Sequence, residues 1–252
     1  VLELQDGLLD LHSLSPGADV VYRDSPETIF SMGGYMISVA FADWRGMFDN
    51  YMPAYFISDE MMELFQRGDL RTNLFIGASE NFRQSPVFLK VNGQQRAWGN
   101  YSEVSDCFLL RTPEAYLTLA EASACAGDEA EARRVLETFL ETRMETAPSI
   151  TQTGSELVGL IRDERAREFL LEGHRWFDLR RYTVCQPYPW SKTIEHGHVY
   201  YDSYDPLRCD YYRLETNDPA YTLPIPRKGM GFAGSLGDNE RPARKPARSE
   251  NY

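Results

Sequence analysis

This 252-residue chain is short of positive charge, cysteine, histidine and long apolar runs. It has 26 Lys and Arg against 38 Asp and Glu, a net charge of −12. A surface of that sign repels a phosphate backbone, so nucleic acid is not expected as a partner. No run of apolar residues approaches the ~20 needed to cross a bilayer. The four cysteines, Cys107, Cys125, Cys185 and Cys209, form no Cys-x-x-Cys pair and no cluster with the 4 histidines. A zinc framework is therefore absent. The thiols read as buried or incidental, with a single disulfide as the alternative. No EF-hand spacing offers a calcium loop, and neither a metal nor a cofactor is expected. The opening VLELQDGLLDLHSL lacks a basic segment followed by an apolar stretch, so location is not legible there.

What the chain does have is aromatic side chains, 15 Tyr, 13 Phe and 4 Trp, within a 42% hydrophobic composition that can fill a core. We read residues 1–252 as a single domain in three parts: a loop-rich, ligand-facing region at 1–106, a helical centre at 107–182, and a loop-rich closing segment at 183–252. In 31–52, Met32, Tyr35, Met36, Val39, Ala40 and Trp44 recur at helical spacing. Ser58 is placed to cap a short helix over 58–67. Asn92-Gly93 suits a tight hairpin turn within 77–106.

The centre is more regular. Thr112, Pro113 and Glu114 form a helix entrance: a capping hydroxyl, a first-turn proline and a first-turn acid. Tyr116, Leu119, Ala120 and Ser123 then mark one face. Gly127-Asp128 ends this helix and caps the next, with Glu131 three residues on, and Ala132, Val135, Leu136, Phe139 and Leu140 form its buried stripe. So short a connection requires antiparallel packing. Tyr116, Leu119, Ala120, Gly127, Ala132 and Leu136 fall at the positions of a tetratricopeptide-type hairpin, with small residues where the helices must approach. A third helix starts at Thr153, with Glu156 completing a capping box, and runs to about Leu171. Gly173 breaks it at a positive-φ position, and a short helix covers Trp176 to Arg181. Prolines from 187 onward forbid long helices, and the ending RPARKPARSENY reads as extended or disordered.

At IRDERAREFLLEGHRWFDLRRY (161–182) the sequence closely resembles the signature of the SusD/RagB family of bacterial cell-surface glycan-binding lipoproteins. SPETIFSMGGYMIS (25–38), RTPEAYLTLAEASACAGDEAEARRVLETFLETR (111–143) and NDPAYTLPIPRKGM with GDNERP (217–242) are similar to three further family segments in the same order. The resemblance implies a mostly α fold, a partial SusD-like α-α superhelix of tetratricopeptide-like hairpins with long irregular loops. It covers the C-terminal half of a longer member, so the lipid anchor is not expected in this chain. It further implies an oligosaccharide or polysaccharide ligand, a TonB-dependent outer-membrane transporter as partner, and a surface-exposed place on the outer membrane.

Within the motif, Glu164 and Glu168 lie one helical turn apart, as paired acids would. Each also has arginines within a turn, which favours ionised carboxylates in salt bridges over a general acid. His174 reads as a hydrogen-bonding histidine, Trp176 and Phe177 as core anchors, and Asp178 as an arginine partner. No catalytic residue is expected. Sugars present apolar C–H faces ringed by hydroxyls, so a glycan platform needs exposed rings beside planar polar groups. DWRGMFDNYMPAYF (43–56) supplies Trp44, Arg45, Asn50, Tyr51 and Tyr55, and QQRAWGNYSE (94–103) supplies Trp98, Asn100 and Tyr101. A third stretch, YPWSK, offers Tyr188 and Trp190. The expected function is non-catalytic glycan binding within a polysaccharide-uptake system; a tetratricopeptide-like scaffold for protein partners is the alternative.

Overall fold

The computed structural model describes residues 1–16, 18, 20–22, 24–31, 55–78, 85–90, 108–202, 205–226, 231–232, 237–239 and 241–252. These residues form two compact units, Val1–Glu172 and Gly173–Tyr252. The helix expected over 31–52 and the turn at Asn92-Gly93 lie outside the described residues.

In the first unit, strand β1 (Thr28–Ser31) pairs antiparallel with β4 (Phe108–Arg111), and β2 (Ile76–Ala78) with β3 (Pro86–Phe88). Two short helices, α1 (Asp59–Glu63) and α2 (Thr72–Phe75), precede β2. Ser58 caps α1 as its position predicts, its side chain accepting from the Met61 amide. Around these elements Leu11, Val20, Val21, Ile57, Leu74, Phe75, Ile76 and Phe88 form one apolar cluster, against which Leu170 and Leu171 pack.

The helical part is α3 (Thr112–Cys125), α4 (Glu129–Leu140) and α5 (Gly154–Glu168). The α3–α4 turn follows the sequence: Gly127 has φ +88°, and Asp128 accepts from the Glu131 amide at 3.1 Å. Ala120 and Ala132 are both fully buried where the helices meet. Loss of this N-cap is expected to cost about 1 kcal/mol, so Asp128→Ala should lower the urea midpoint of the first unit while Asp128→Asn leaves it nearly unchanged.

Other helix ends differ from the sequence reading. Arg111, still extended as the last residue of β4, occupies the cap position of α3, and Thr112 instead directs both its amide and its hydroxyl to the Glu27 carbonyl. The chain passes from strand to helix without room for a separate capping residue. Thr153 makes no side-chain cap; Glu129 of α4 accepts from the Gly154 amide at 2.7 Å and caps α5 across the interface. The buried face of α3 is Leu117, Ala120, Glu121 and Ala124, with Leu119 37% exposed, because α3 packs on both α4 and α5 rather than on one neighbour.

The second unit corrects the expectation of a loop-rich ending. Helix α6 (His174–Tyr182) starts after Gly173, which has φ +81° as predicted. There follows a three-stranded antiparallel sheet in the order β5 (Ile194–Asp202), β6 (Asp205–Leu214), β7 (Arg248–Asn251). The prolines that exclude long helices fall between elements, at the first position of a short 3-10 helix (Pro219–Tyr221), or at the start of β6, where Tyr201 faces Pro206 and the register shifts without ending the ladder. The C-terminal segment read as extended or disordered supplies β7, so strand is the element that the mostly α reading underestimates. Gly197 on β5 is required: a Cβ there would lie 2.9 Å from Cys209 Sγ and 3.3 Å from the Tyr211 ring that crosses it. Trp176 packs against Tyr221, ring centroids 4.9 Å apart. Phe177, by contrast, is 64% exposed and anchors nothing, because α6 buries Asp178, Leu179 and Tyr182, which lie on its other side.

Candidate functional site

Of the eight residues proposed to bind glycan, the structure describes Tyr55, which stands before α1 and is 47% exposed. Trp44, Arg45, Asn50, Tyr51, Trp98, Asn100 and Tyr101 lie outside the described residues. In the third stretch Tyr188 is half-buried, and Trp190 is 40% exposed with its ring edge-on to Tyr182 and the Arg175 guanidinium 5.7 Å from its centre.

One exposed face was not anticipated. His196, His198 and Tyr200 of β5 point to the same side, beside Tyr212, Asp210 and Arg208 of β6 in register, with Asp210 itself buried. The His198 ring meets Tyr200 edge-on at 4.7 Å, and the Arg208 guanidinium lies 4.5 Å above the Tyr200 ring. The signal was present in HisGlyHisValTyr: two-residue alternation of ring side chains, which is a strand period.

The signature acids have a different setting. Glu164 and Glu168 of α5 are buried within a continuous ionic network with Glu27, Asp69, Glu172, Arg71, Lys90, Arg111, Arg143 and Arg167, whose side chains are no more than 7% exposed. The network therefore holds five carboxylates and five cations and is formally neutral. Arg71 binds Glu164 at 2.5 Å, Asp69 at 2.8 Å and Glu168 at 3.1 Å. Arg143 bridges Glu168 at 3.1 Å and Glu27 at 2.5 Å. Arg111 closes the other side on Glu27 at 2.8 Å, Glu168 at 2.9 Å and Glu172 at 2.7 Å. The Lys90 ammonium donates to Glu172 and to the Glu168 carbonyl and stands over the Phe75 ring.

These contacts decide what the acids can do. Burial alone would raise the Glu168 carboxyl, but the fields of Arg143, Arg111, Arg71 and Lys90 outweigh it and hold the group well below the ordinary carboxylate range. For Glu164 burial is again opposed and outweighed, by Arg167 and Arg71, and for Glu172 by Arg111 and Lys90. A glycosidase acid needs the opposite, a carboxyl raised toward neutrality beside a sugar cleft. The salt-bridge reading of the motif is therefore the one the geometry supports. What sequence reasoning missed was the other half of the network. Glu27, Asp69, Arg71, Lys90, Arg111 and Arg143 lie in irregular segments or at element ends, where no periodicity distinguishes a buried charge from a solvated one.

Among the described residues no helix is long and apolar enough to cross a membrane, and no group of three or more His, Cys, Asp or Glu could hold a metal ion. Cys125, Cys185 and Cys209 are not joined in disulfides among the described residues, and Cys107 lies outside them.

Comparison with known proteins agrees with this architecture. A SusD homologue from Bacteroides thetaiotaomicron is 23% identical and superposes with a TM-score of 0.62, the match covering 92% of this chain and 50% of that one. A SusD-like carbohydrate-binding protein from Bacteroides vulgatus is 16% identical with a TM-score of 0.61, over 93% of this chain and 53% of that one. A further SusD superfamily protein from B. thetaiotaomicron is 17% identical with a TM-score of 0.62, over 86% and 49%. The chain thus has a SusD-like fold and spans about half the length of these solved relatives. No curated protein matches it. The model of the SusD family matches residues 79–236, a stretch that takes in β4, the helical hairpin, the buried signature helix and most of the second unit, and the chain belongs to that family.

Proposed function

We propose that this chain is part of a non-catalytic glycan-binding protein at the bacterial cell surface, which takes up oligosaccharide and hands it to a TonB-dependent transporter of the outer membrane. The observation that carries the reading is membership of the SusD family over 79–236, one solved neighbour being described as carbohydrate-binding. The state of the signature acids supports the absence of chemistry: each is ionised and engaged by cations. The exposed Tyr55 ring supports a platform in the 43–56 stretch, with Trp44, Arg45, Asn50 and Tyr51 beside it and Trp98, Asn100 and Tyr101 from the second stretch. In such a site the rings cover the apolar faces of the sugar, while the amides and the guanidinium meet its hydroxyls.

We read the α3–α4 pair as a tetratricopeptide-like hairpin on the strength of its small buried contacts, Ala120 and Ala132. A protein scaffold built on it is the second reading, favoured by the exposure of Leu119 on α3. An oligosaccharide panel separates the two. Binding of at least one glycan is expected, and Trp44→Ala, Trp98→Ala and Tyr55→Ala should each weaken it about tenfold, the loss of one ring contact of 0.5–1.5 kcal/mol or more. If none of the three variants changes the affinity for a bound glycan, the placement of the site is wrong.

A further inference from the structure

The second unit holds a cleft of about 190 Å³ between the last turn of α6 and the turn Pro219–Tyr221, lined by Arg180, Thr183, Asn217, Asp218, Pro219, Tyr221 and Thr222. From its size and lining we infer that this cleft is a second carbohydrate site, lined by no residue of the 43–56 and 94–103 stretches, that takes one neutral pyranose ring. It is smaller than the roughly 300–1,000 Å³ of sites for drug-sized ligands, which fits one ring rather than a chain.

The lining answers the needs of a polyhydroxyl ligand, which must find donors, acceptors and an apolar surface together. Arg180 has no carboxylate partner among the described residues, and its Nη1 makes one long contact, 3.5 Å, to the Tyr221 carbonyl. Its remaining N–H groups have no acceptor among the described residues. The Thr183 hydroxyl already donates to the Arg180 carbonyl at 2.8 Å, so its oxygen faces a ligand as an acceptor. Asp218 uses Oδ1 for the Ala220 amide at 2.8 Å and for Arg244, and the Glu215 main chain also bonds to this carboxylate, which keeps further acceptor lone pairs. The side chains of Asn217 and Thr222 likewise have none. Pro219 and Tyr221 supply the apolar wall, and Tyr221 is fixed by Trp176 behind it.

Two features narrow the ligand. Arg180 offers donors and the Asp218 carboxylate, already neutralised by Arg244, still offers acceptor lone pairs, so neutral hydroxyls can donate to one and accept from the other. Asn217 sits at φ +60°, a left-handed conformation that asparagine tolerates better than most residues with a side chain and that glycine adopts freely. Asn217→Gly therefore removes the amide without disturbing the turn.

The test is ligand-observed saturation-transfer NMR on the 252-residue chain with D-glucose, D-galactose, D-mannose and D-glucuronate as probes. A weak site, about 1 mM, is expected for at least one neutral sugar, since a single ring offers few contacts to offset the cost of association. Arg180→Ala and Asn217→Gly should each weaken it roughly tenfold, the loss of one hydrogen bond with a charged or well-placed donor. Trp44→Ala and Trp98→Ala should leave it unchanged. Transfer to no probe, transfer to glucuronate alone, or neutral-sugar transfer that survives both Arg180→Ala and Asn217→Gly would each overturn the assignment. Oligosaccharide affinity that falls in Trp44→Ala and Trp98→Ala, together with no monosaccharide transfer that depends on Arg180 or Asn217, removes this cleft while leaving the proposed function standing.

Discussion

Glu168→Ala is expected to unfold the first unit, residues 1–172, under conditions in which the parent chain is fully folded. Glu168 accepts from Arg71, Arg111 and Arg143, and its main-chain carbonyl takes the Lys90 ammonium. Removing one partner of a single buried ion pair costs about 3–5 kcal/mol, because the other charge remains in the interior without compensation. Here one substitution strips three guanidinium groups of a shared carboxylate, against a total stability of about 5–15 kcal/mol for a typical domain. Circular dichroism in urea and amide hydrogen exchange of α3 to α5 would measure the loss. Glu131→Ala is the control: its partner Arg134 is an exposed neighbour on the same helix, and losing that pair and a first-turn acid of α4 should cost no more than about 1 kcal/mol. A wild-type midpoint for Glu168→Ala would mean that apolar packing alone holds the unit together.

The second large effect is a steep loss of stability in acid. Glu164, Glu168 and Glu172 all have native pKa values held below their ordinary carboxylate value. With the native pKa depressed, the unfolded chain binds more protons than the native one as the pH falls, so stability declines on acidification. The contribution of these groups is complete above the ordinary carboxylate range and disappears as the pH drops from there through the depressed native values. Lys90 adds a slope of the same sign in a separate, alkaline window. Burial, opposed by Glu172, lowers its ammonium from 10.5 to about 8. Between those values the unfolded chain keeps a proton that the native chain has released, so this contribution rises with pH. The carboxylates outnumber the lysine, and the acid branch should be the steeper one. Measuring urea midpoints from pH 7 to pH 3, with hydrogen exchange to assign them, should show the midpoint of α5 falling faster than that of β5 and β6. The second unit relies on surface pairs such as Glu195 with Arg213 and Arg248, which solvent screens. Equal slopes for the two units would contradict the assignment.

The legibility of this protein in its sequence follows the physics of each part. The α3–α4 hairpin was readable because glycine, a capping aspartate and small contact residues are local requirements that leave local marks. Gly173 was readable for the same reason. The β5–β6–β7 sheet is not legible because the prolines around it exclude helix without marking strand, a proline between strands disrupting no ladder, and because β7 is contributed from 34 residues after β6 ends. The pairing of Glu164 and Glu168 with arginine was legible in kind, since arginines lie within a turn of each. Its true partners were not, as only Arg167 among them comes from the same helix. For the glycan platform the sequence offered composition alone, rings beside amides, and Tyr55 is the member whose exposure the structure reports.

The ionic network also bears on how the chain reaches its native state. Arg143 and Glu27 stand 116 positions apart, and Arg71 and Glu168 stand 97 apart. No local segment can assemble these contacts, and an arginine that loses its water before its glutamate arrives is in a worse state than one left in solvent. The ion pairs must therefore lock together late and nearly at once, after α3, α4 and α5 have already docked. Refolding of the first unit should be slow for its helical content, and substitutions in the network should accelerate unfolding far more than they retard refolding.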